Sequence, residues 1–245
     1  MKNLLYILLI TFGVSNQIFS QEVNIIPGNK LIQPEAIKNE SSEMIWYFLQ
    51  DTNKVEIGRV FTDIKKNDED IVIITTVKMK QNPSKWIDST IVRASSLKPI
   101  YHSSYNSQRD MVLNFGKDVT GYYLNKQTGK RITISEKTKT PYFDSNFYPQ
   151  LVRWLPLKEG FSSTISIFDY NPKTKIGVMT ATIKSVSKSV LSFNGEKKQI
   201  WKVVITDDIS NNSAINTFYI DIKTRKILRQ GINANGRKML MELVE

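Results

Sequence analysis

Ile71-Val72-Ile73-Ile74-Thr75-Thr76-Val77 runs into Lys78-Met79-Lys80, and Lys85-Trp86-Ile87-Asp88-Ser89-Thr90-Ile91-Val92-Arg93 follows. The first run is rich in β-branched residues, which pack well on a pleated surface. The second alternates. Trp86, Asp88, Thr90 and Val92 share one face, and Ile87, Ser89, Ile91 and Arg93 share the other. The same pattern predicts strands over 43–50, 55–65, 99–106, 110–115, 118–124, 130–135, 161–168, 175–187, 197–206, 214–220, 225–232 and 237–244. Asn67-Asp68-Glu69-Asp70, Gln127-Thr128-Gly129, Asn171-Pro172, Asn194-Gly195 and Asn233-Ala234-Asn235-Gly236 supply turns between them.

One stretch departs from this pattern. Asp144 through Leu155 reads as a helix, with Asp144 or Ser145 as the cap, Pro149 in the first turn and Pro156 as the stop. Phe147, Leu151 and Trp154 fall on one of its faces. Many antiparallel strands around one mid-chain helix predict a mainly β fold. Its form is a curved antiparallel sheet, a half-barrel or open barrel, with one internal helix. An ungapped shift of 128 positions lays residues 92–115 on 220–243, pairing Val92 with Ile220, Lys98 with Lys226, Arg109 with Arg237 and Met111 with Met239. This echo is either a duplicated sheet unit or the shared grammar of β-meanders.

The chain opens with Met1-Lys2-Asn3, an apolar run from Leu4 to Val14, and a polar stretch ending at Ser20. A positive start, a core too short to span a bilayer and a small final residue predict a secretory signal peptide over 1–20. Residues 21–42, with Pro27-Gly28 and Pro34, form an expected irregular arm with a short helix near Pro34–Asn39, and 43–245 a single β-rich domain. The chain has no cysteine, so disulfides and acyl anchoring through Cys are excluded. No later apolar run approaches the roughly 18 residues of a spanning helix, so no transmembrane anchor is expected. The expected location is the periplasm or the cell exterior. The net charge of +11 is scattered without a long basic run. Such scatter reads first as solvated strand faces and edge protection, and as a partner surface it suits an anionic envelope component or lipid better than nucleic acid, for which no motif is present.

The phrase Asp88-Ser89-Thr90-Ile91-Val92-Arg93, continued by Ser96-Leu97-Lys98-Pro99-Ile100, resembles an uncharacterised family of exported bacterial β-proteins, a domain of unknown function. So do Asp144 through Leu157, with Leu151-Val152-Arg153-Trp154-Leu155-Pro156-Leu157, and the closing Tyr219-Ile220-Asp221 and Thr224-Arg225-Lys226-Ile227. In outline such proteins are similar to the lipoprotein-carrier half-barrels of the LolA and LolB type. That likeness implies a concave sheet, closed by helical structure, that can hold acyl chains.

Few residues point to catalysis. The only histidine is His102, on a predicted strand, and no G-x-S-x-G elbow exists to pair with it. His102 therefore reads as structural or exposed. Ser95-Ser96-Leu97-Lys98 and Ser185-Val186-Ser187-Lys188 match S-x-x-K, but one lies in a turn before Pro99 and the other at a strand end, so both read as chance. One His and no Cys leave no ordinary zinc site, and Asp68-Glu69-Asp70 and Asp207-Asp208 lack calcium-loop spacing. No cofactor is expected.

The aromatics remain. They fill a core, line an apolar cavity or stack on sugar rings, and Phe147, Leu151, Trp154, Trp86 and Trp201 are the candidate ligand-binding residues. The expected function is non-catalytic binding of a hydrophobic or amphipathic envelope ligand, a lipid or a lipidated partner. The alternatives are a structural or interaction module of the envelope with a filled core, and a glycan hydrolase working through two carboxylates.

Overall fold

The computed structural model describes residues 23–32, 37–51 and 53–244. The leader expected over 1–20, and the first half of the short helix expected over Pro34–Asn39, lie outside the described residues, and residues 37–39 are not helical. In chain order the elements are β1 (Asn24–Ile25), β2 (Glu40–Gln50), β3 (Asn53–Lys66), β4 (Asp70–Met79), β5 (Asn82–Arg93), β6 (Pro99–Tyr105), β7 (Arg109–Phe115), β8 (Asp118–Asn125) and β9 (Arg131–Lys137). Then come β10 (Phe143–Asp144), α1 (Tyr148–Leu151), β11 (Ser163–Tyr170), β12 (Ile176–Phe193), β13 (Glu196–Asp207), β14 (Ala214–Asp221), β15 (Ile227–Ala234) and β16 (Arg237–Val244).

Among the described residues all sixteen strands join one curved open sheet. Its path is β1-β11-β12-β13-β14-β15-β16-β2-β3-β4-β5-β6-β7-β8-β9, with β10 also on β11. The long strands are all antiparallel to their neighbours. Only the two-residue β1 and β10 are parallel, both to β11. The expected mainly β fold is therefore what forms, as an open sheet rather than a closed barrel. Asn194-Gly195 and Asn235-Gly236 both take left-handed backbone in two-residue hairpins, the geometry that matches strand twist.

The chain joins its two sheet halves through β16 and β2, which pair Met241 with Trp46 and Leu243 with Met44. The 128-residue echo holds in three dimensions. Tyr101 opposite Asn114 becomes Arg229 opposite Glu242, and the register break at Ile91/Val92 becomes one at Tyr219/Ile220. Leu97 and Arg225 take positive φ, 58° and 61°, at matching places. Arg93 N–H donates to Lys98 O as Asp221 N–H donates to Lys226 O. Generic meander grammar does not fix a bulge and a left-handed residue at one spacing, so this is a repeated sheet unit.

The expected helix is much shorter. Only Tyr148–Leu151 is α-helical, and Val152–Trp154 continues as a single 3-10 turn. Neither Asp144 nor Ser145 caps it. Phe147 occupies that place without a side-chain bond, and Pro149 does fall in the first turn. The segment lies inside the curl. Phe143, Phe147 and Leu151 are fully buried among Ile73, Val92, Ile167, Val203 and Phe218. Phe168 of β11 meets Phe115 of β7 edge to face at 5.9 Å, so strands near opposite ends of the sheet meet in a second core cluster.

Candidate functional site

Side-chain alternation decides what the hollow face presents. Glu40, Ser42 and Met44 of β2, Val60 and Thr62 of β3, and Ile73 and Thr75 of β4 line one cavity of about 230 Å³. Ile227 and Gln230 of β15 and Met241 and Leu243 of β16 complete its sheet side. Pro149, Gln150 and Arg153 of the helical segment close it. The wall is thus mixed, with Met44, Val60, Ile73, Ile227, Met241 and Leu243 beside Glu40, Lys226 and one deeply buried cation, Arg153. Arg153 is 3% exposed and ion-pairs with Glu40 at 2.9 Å. Its guanidinium sits 4.9 Å from the Trp154 ring, and its Nε is buried without a partner among the described residues.

Asn146 lines this cavity and also a second one, of about 260 Å³, on the other side of the same segment. The second cavity is polar, with Trp86, Asp88, His102, Arg109, Ser145 and Asp169 in its wall. Each of its charged groups is held by a neighbour. His102 Nδ1 meets Asp144 Oδ1 at 2.8 Å, and Asp144 Oδ2 accepts from Thr90 Oγ1 at 2.7 Å. Asp88 accepts from Trp86 Nε1 at 2.8 Å, Asp169 from Ser145 Oγ at 2.7 Å, and Arg109 donates to Ser104 Oγ at 3.2 Å. Burial works against charge on His102, but the Asp144 carboxylate, by charge and by hydrogen bond, and Asp88 outweigh it and hold the imidazole pKa above its ordinary value. Burial raises the Asp169 carboxyl as well.

Trp86, Arg109 and Asn171 continue into a third space of about 390 Å³, shared with Trp46, Met79, Asn82, Ser84, Gln108 and Tyr123. Shared lining residues set the three spaces in a row, the path along the sheet, with Asn146 between the first two and Trp86, Arg109 and Asn171 between the last two, and with His102, Asp88 and Asp169 toward one end.

Of the candidate ligand residues, only Trp86 faces this path. Phe147, Leu151, Trp154 and Trp201 pack into the main core, Phe147 6.0 Å from the Trp154 ring. The helical face expected to point at a ligand points into the core, and the opposite face, Pro149, Gln150 and Arg153, lines the cavity. His102, read as structural or exposed, is buried and paired with Asp144. Asp144, Arg109 and Asp169 carried no site signal in the sequence, and Trp46 only the general one of a large aromatic. Neither S-x-x-K stretch lies on a helix: one is in the turn between β5 and β6, the other within β12. Asp207 is occupied locally, accepting from Ser210 N–H and the buried Tyr148 hydroxyl. Among the described residues no cluster of three metal-ligating side chains occurs, and no helix is long and apolar enough to cross a membrane.

A family model described as a protein of unknown function, DUF3108, matches residues 43–242. The chain belongs to this family. No curated protein matches it. The DUF3108 match runs from within β2 to within β16, so it takes in Arg153, His102, Asp144 and the Trp46–Trp86 end of the path. Glu40, the ion-pair partner of Arg153, falls just outside it.

Proposed function

We propose that this DUF3108 protein is an exported, non-catalytic binding protein of the cell envelope, and that it takes an amphipathic ligand on the concave face of its sheet. The apolar part lies against Met44, Val60, Ile73, Met241 and Leu243, and an anionic group is met by Arg153. The observation that carries this reading is a cavity that sets a row of apolar side chains beside a buried guanidinium with an uncommitted Nε. Removing acyl carbons from water there contributes about 0.8 kcal/mol per buried methylene. An anion next to a guanidinium in a site shielded from water gains far more than it does at the surface.

Taken singly, 230 Å³ falls below the roughly 300–1,000 Å³ of small-molecule sites. That size suits one acyl segment with its anionic end, rather than a whole drug-sized molecule. The likeness in outline to carrier half-barrels, the scattered positive charge and the leader-like start support the same reading.

A second reading, an envelope module without a ligand, draws on the filled core around Phe147, Leu151, Trp154 and Trp201. Titration with a dansyl-labelled fatty acid separates the two. Saturable binding that Met241→Trp abolishes in a folded protein is the expected result. Fluorescence that never saturates, or that Met241→Trp leaves unchanged, overturns the ligand reading.

A further inference from the structure

The polar end of the path has its own chemistry. His102 is 5% exposed, and its Nε2 is buried without a partner among the described residues although the side chain lines a cavity. An unpaired buried polar atom costs roughly 1–3 kcal/mol, so its retention calls for an explanation. Asp144 and Thr90 fix the ring and leave Nε2 as the free position. Arg109 Nε, another unpaired buried nitrogen, borders the same space, and Trp46 Nε1 borders the adjoining one. The two carboxylates, Asp88 and Asp169, are each held through one oxygen. No ion pair joins Arg109 to either of them among the described residues, so donors and acceptors stay separately available.

We propose that this cavity and the adjoining Trp46–Trp86 cleft bind a saccharide. A sugar hydroxyl both donates and accepts, so it can satisfy a carboxylate and a guanidinium at once, as no simple anion or cation can. A pyranose ring also has an apolar face that lies against an indole, and Trp86 borders both spaces. Asn82, Gln108 and Asn171 extend the same mixed hydrogen bonding outward. Fixed polar groups beside an aromatic plate lower the ordering cost of binding. The saccharide is either a soluble glycan or the head of a glycolipid. This site does not depend on the acyl-binding cavity.

The test is a printed array of neutral, amino and acidic oligosaccharides, with hits titrated by tryptophan fluorescence on the purified protein. At least one oligosaccharide should saturate, and Trp86→Ala and Asp88→Asn should each weaken it tenfold or more. Gln108→Trp, at an exposed rim position, should block binding with no change in melting temperature, and it decides the matter if Trp86→Ala does not fold. Presenting the same glycan on lipid vesicles separates the sources: equal affinity marks a soluble glycan, and higher affinity a glycolipid head. Dansyl fatty acid binding should survive Gln108→Trp. If the fatty acid fails while the sugar binds, only the acyl reading falls. The saccharide proposal is overturned if no oligosaccharide saturates, if ethanolamine or phosphate binds in its place, or if Gln108→Trp binds as well as the parent.

Discussion

His102 Nδ1 lies 2.8 Å from Asp144 Oδ1, and both side chains are buried. Asp144, Asp88, Asp169 and Arg109 surround the imidazole, and the carboxylates prevail over burial and over Arg109 in raising its pKa. The folded state therefore holds the proton more tightly than the unfolded chain, where the pKa is about 6.5. Stability from this group is complete below that value and drains away as pH rises through the folded pKa. The midpoint of urea unfolding should fall across that window, and His102→Gln should flatten the fall. Asp169, also raised, adds a loss of the same sign that begins at lower pH, and Asp169→Asn removes it. A midpoint that rises with pH through neutrality contradicts the assignment.

Gly121 sits opposite Leu113 at φ 151°, and a Cβ there would lie 1.9 Å from the Val112 carbonyl oxygen. Backbone cannot yield as a flexible side chain does. Gly121→Ala should cost about 2–4 kcal/mol. Gly129, at φ 68° with open space around it, should lose only about 1 kcal/mol on the same change. Equal losses in denaturant unfolding would rule out the close strand approach.

The repeated turn offers a paired test. Leu97 and Arg225 carry the same left-handed strain, but Leu97 is 1% exposed and packs in the core. Arg225→Gly should stabilise by about 1 kcal/mol by removing that strain. Leu97→Gly should destabilise, because the lost core packing is worth about 2–5 kcal/mol and exceeds the relief. Thermal unfolding of both variants gives the comparison, and two changes of the same sign would contradict the equivalence of the turns.

The β grammar was legible because it is local. Alternation placed Trp86, Asp88, Thr90 and Val92 on one face, and Asn-Gly pairs fixed two hairpins. β2 begins at Glu40 rather than Glu43, and the two-residue β1 and β10 carry no periodic signal at all. The spacing of Phe147, Leu151 and Trp154 correctly gave one buried face, but Pro149 and Pro156 confine the segment to little more than two turns. Which face meets the cavity depends on how the sheet curls, and that is set by contacts such as Phe115 with Phe168, far apart in sequence. For the same reason Arg153 and the His102–Asp144 pair, whose partners come from distant elements, had no sequence signature.

Arg153 and Glu40 form a pair that is unevenly buried, with side-chain exposures of 4% and 21%. Arg153→Ala should cost about 2–4 kcal/mol, since it leaves Glu40 uncompensated and opens space beside Trp154. Glu40→Gln keeps an acceptor for the guanidinium and should cost about 1 kcal/mol. A double-mutant cycle by chemical denaturation checks the coupling, and additive losses would show that the pair does not act together.

The central claim is that the concave path holds an amphipathic ligand. Native mass spectrometry of the protein purified from the cells that make it, before and after solvent extraction, tests it most directly. The account predicts a stoichiometric adduct that extraction removes and that Met241→Trp prevents. A clean apoprotein, even after incubation with envelope lipids, would contradict it.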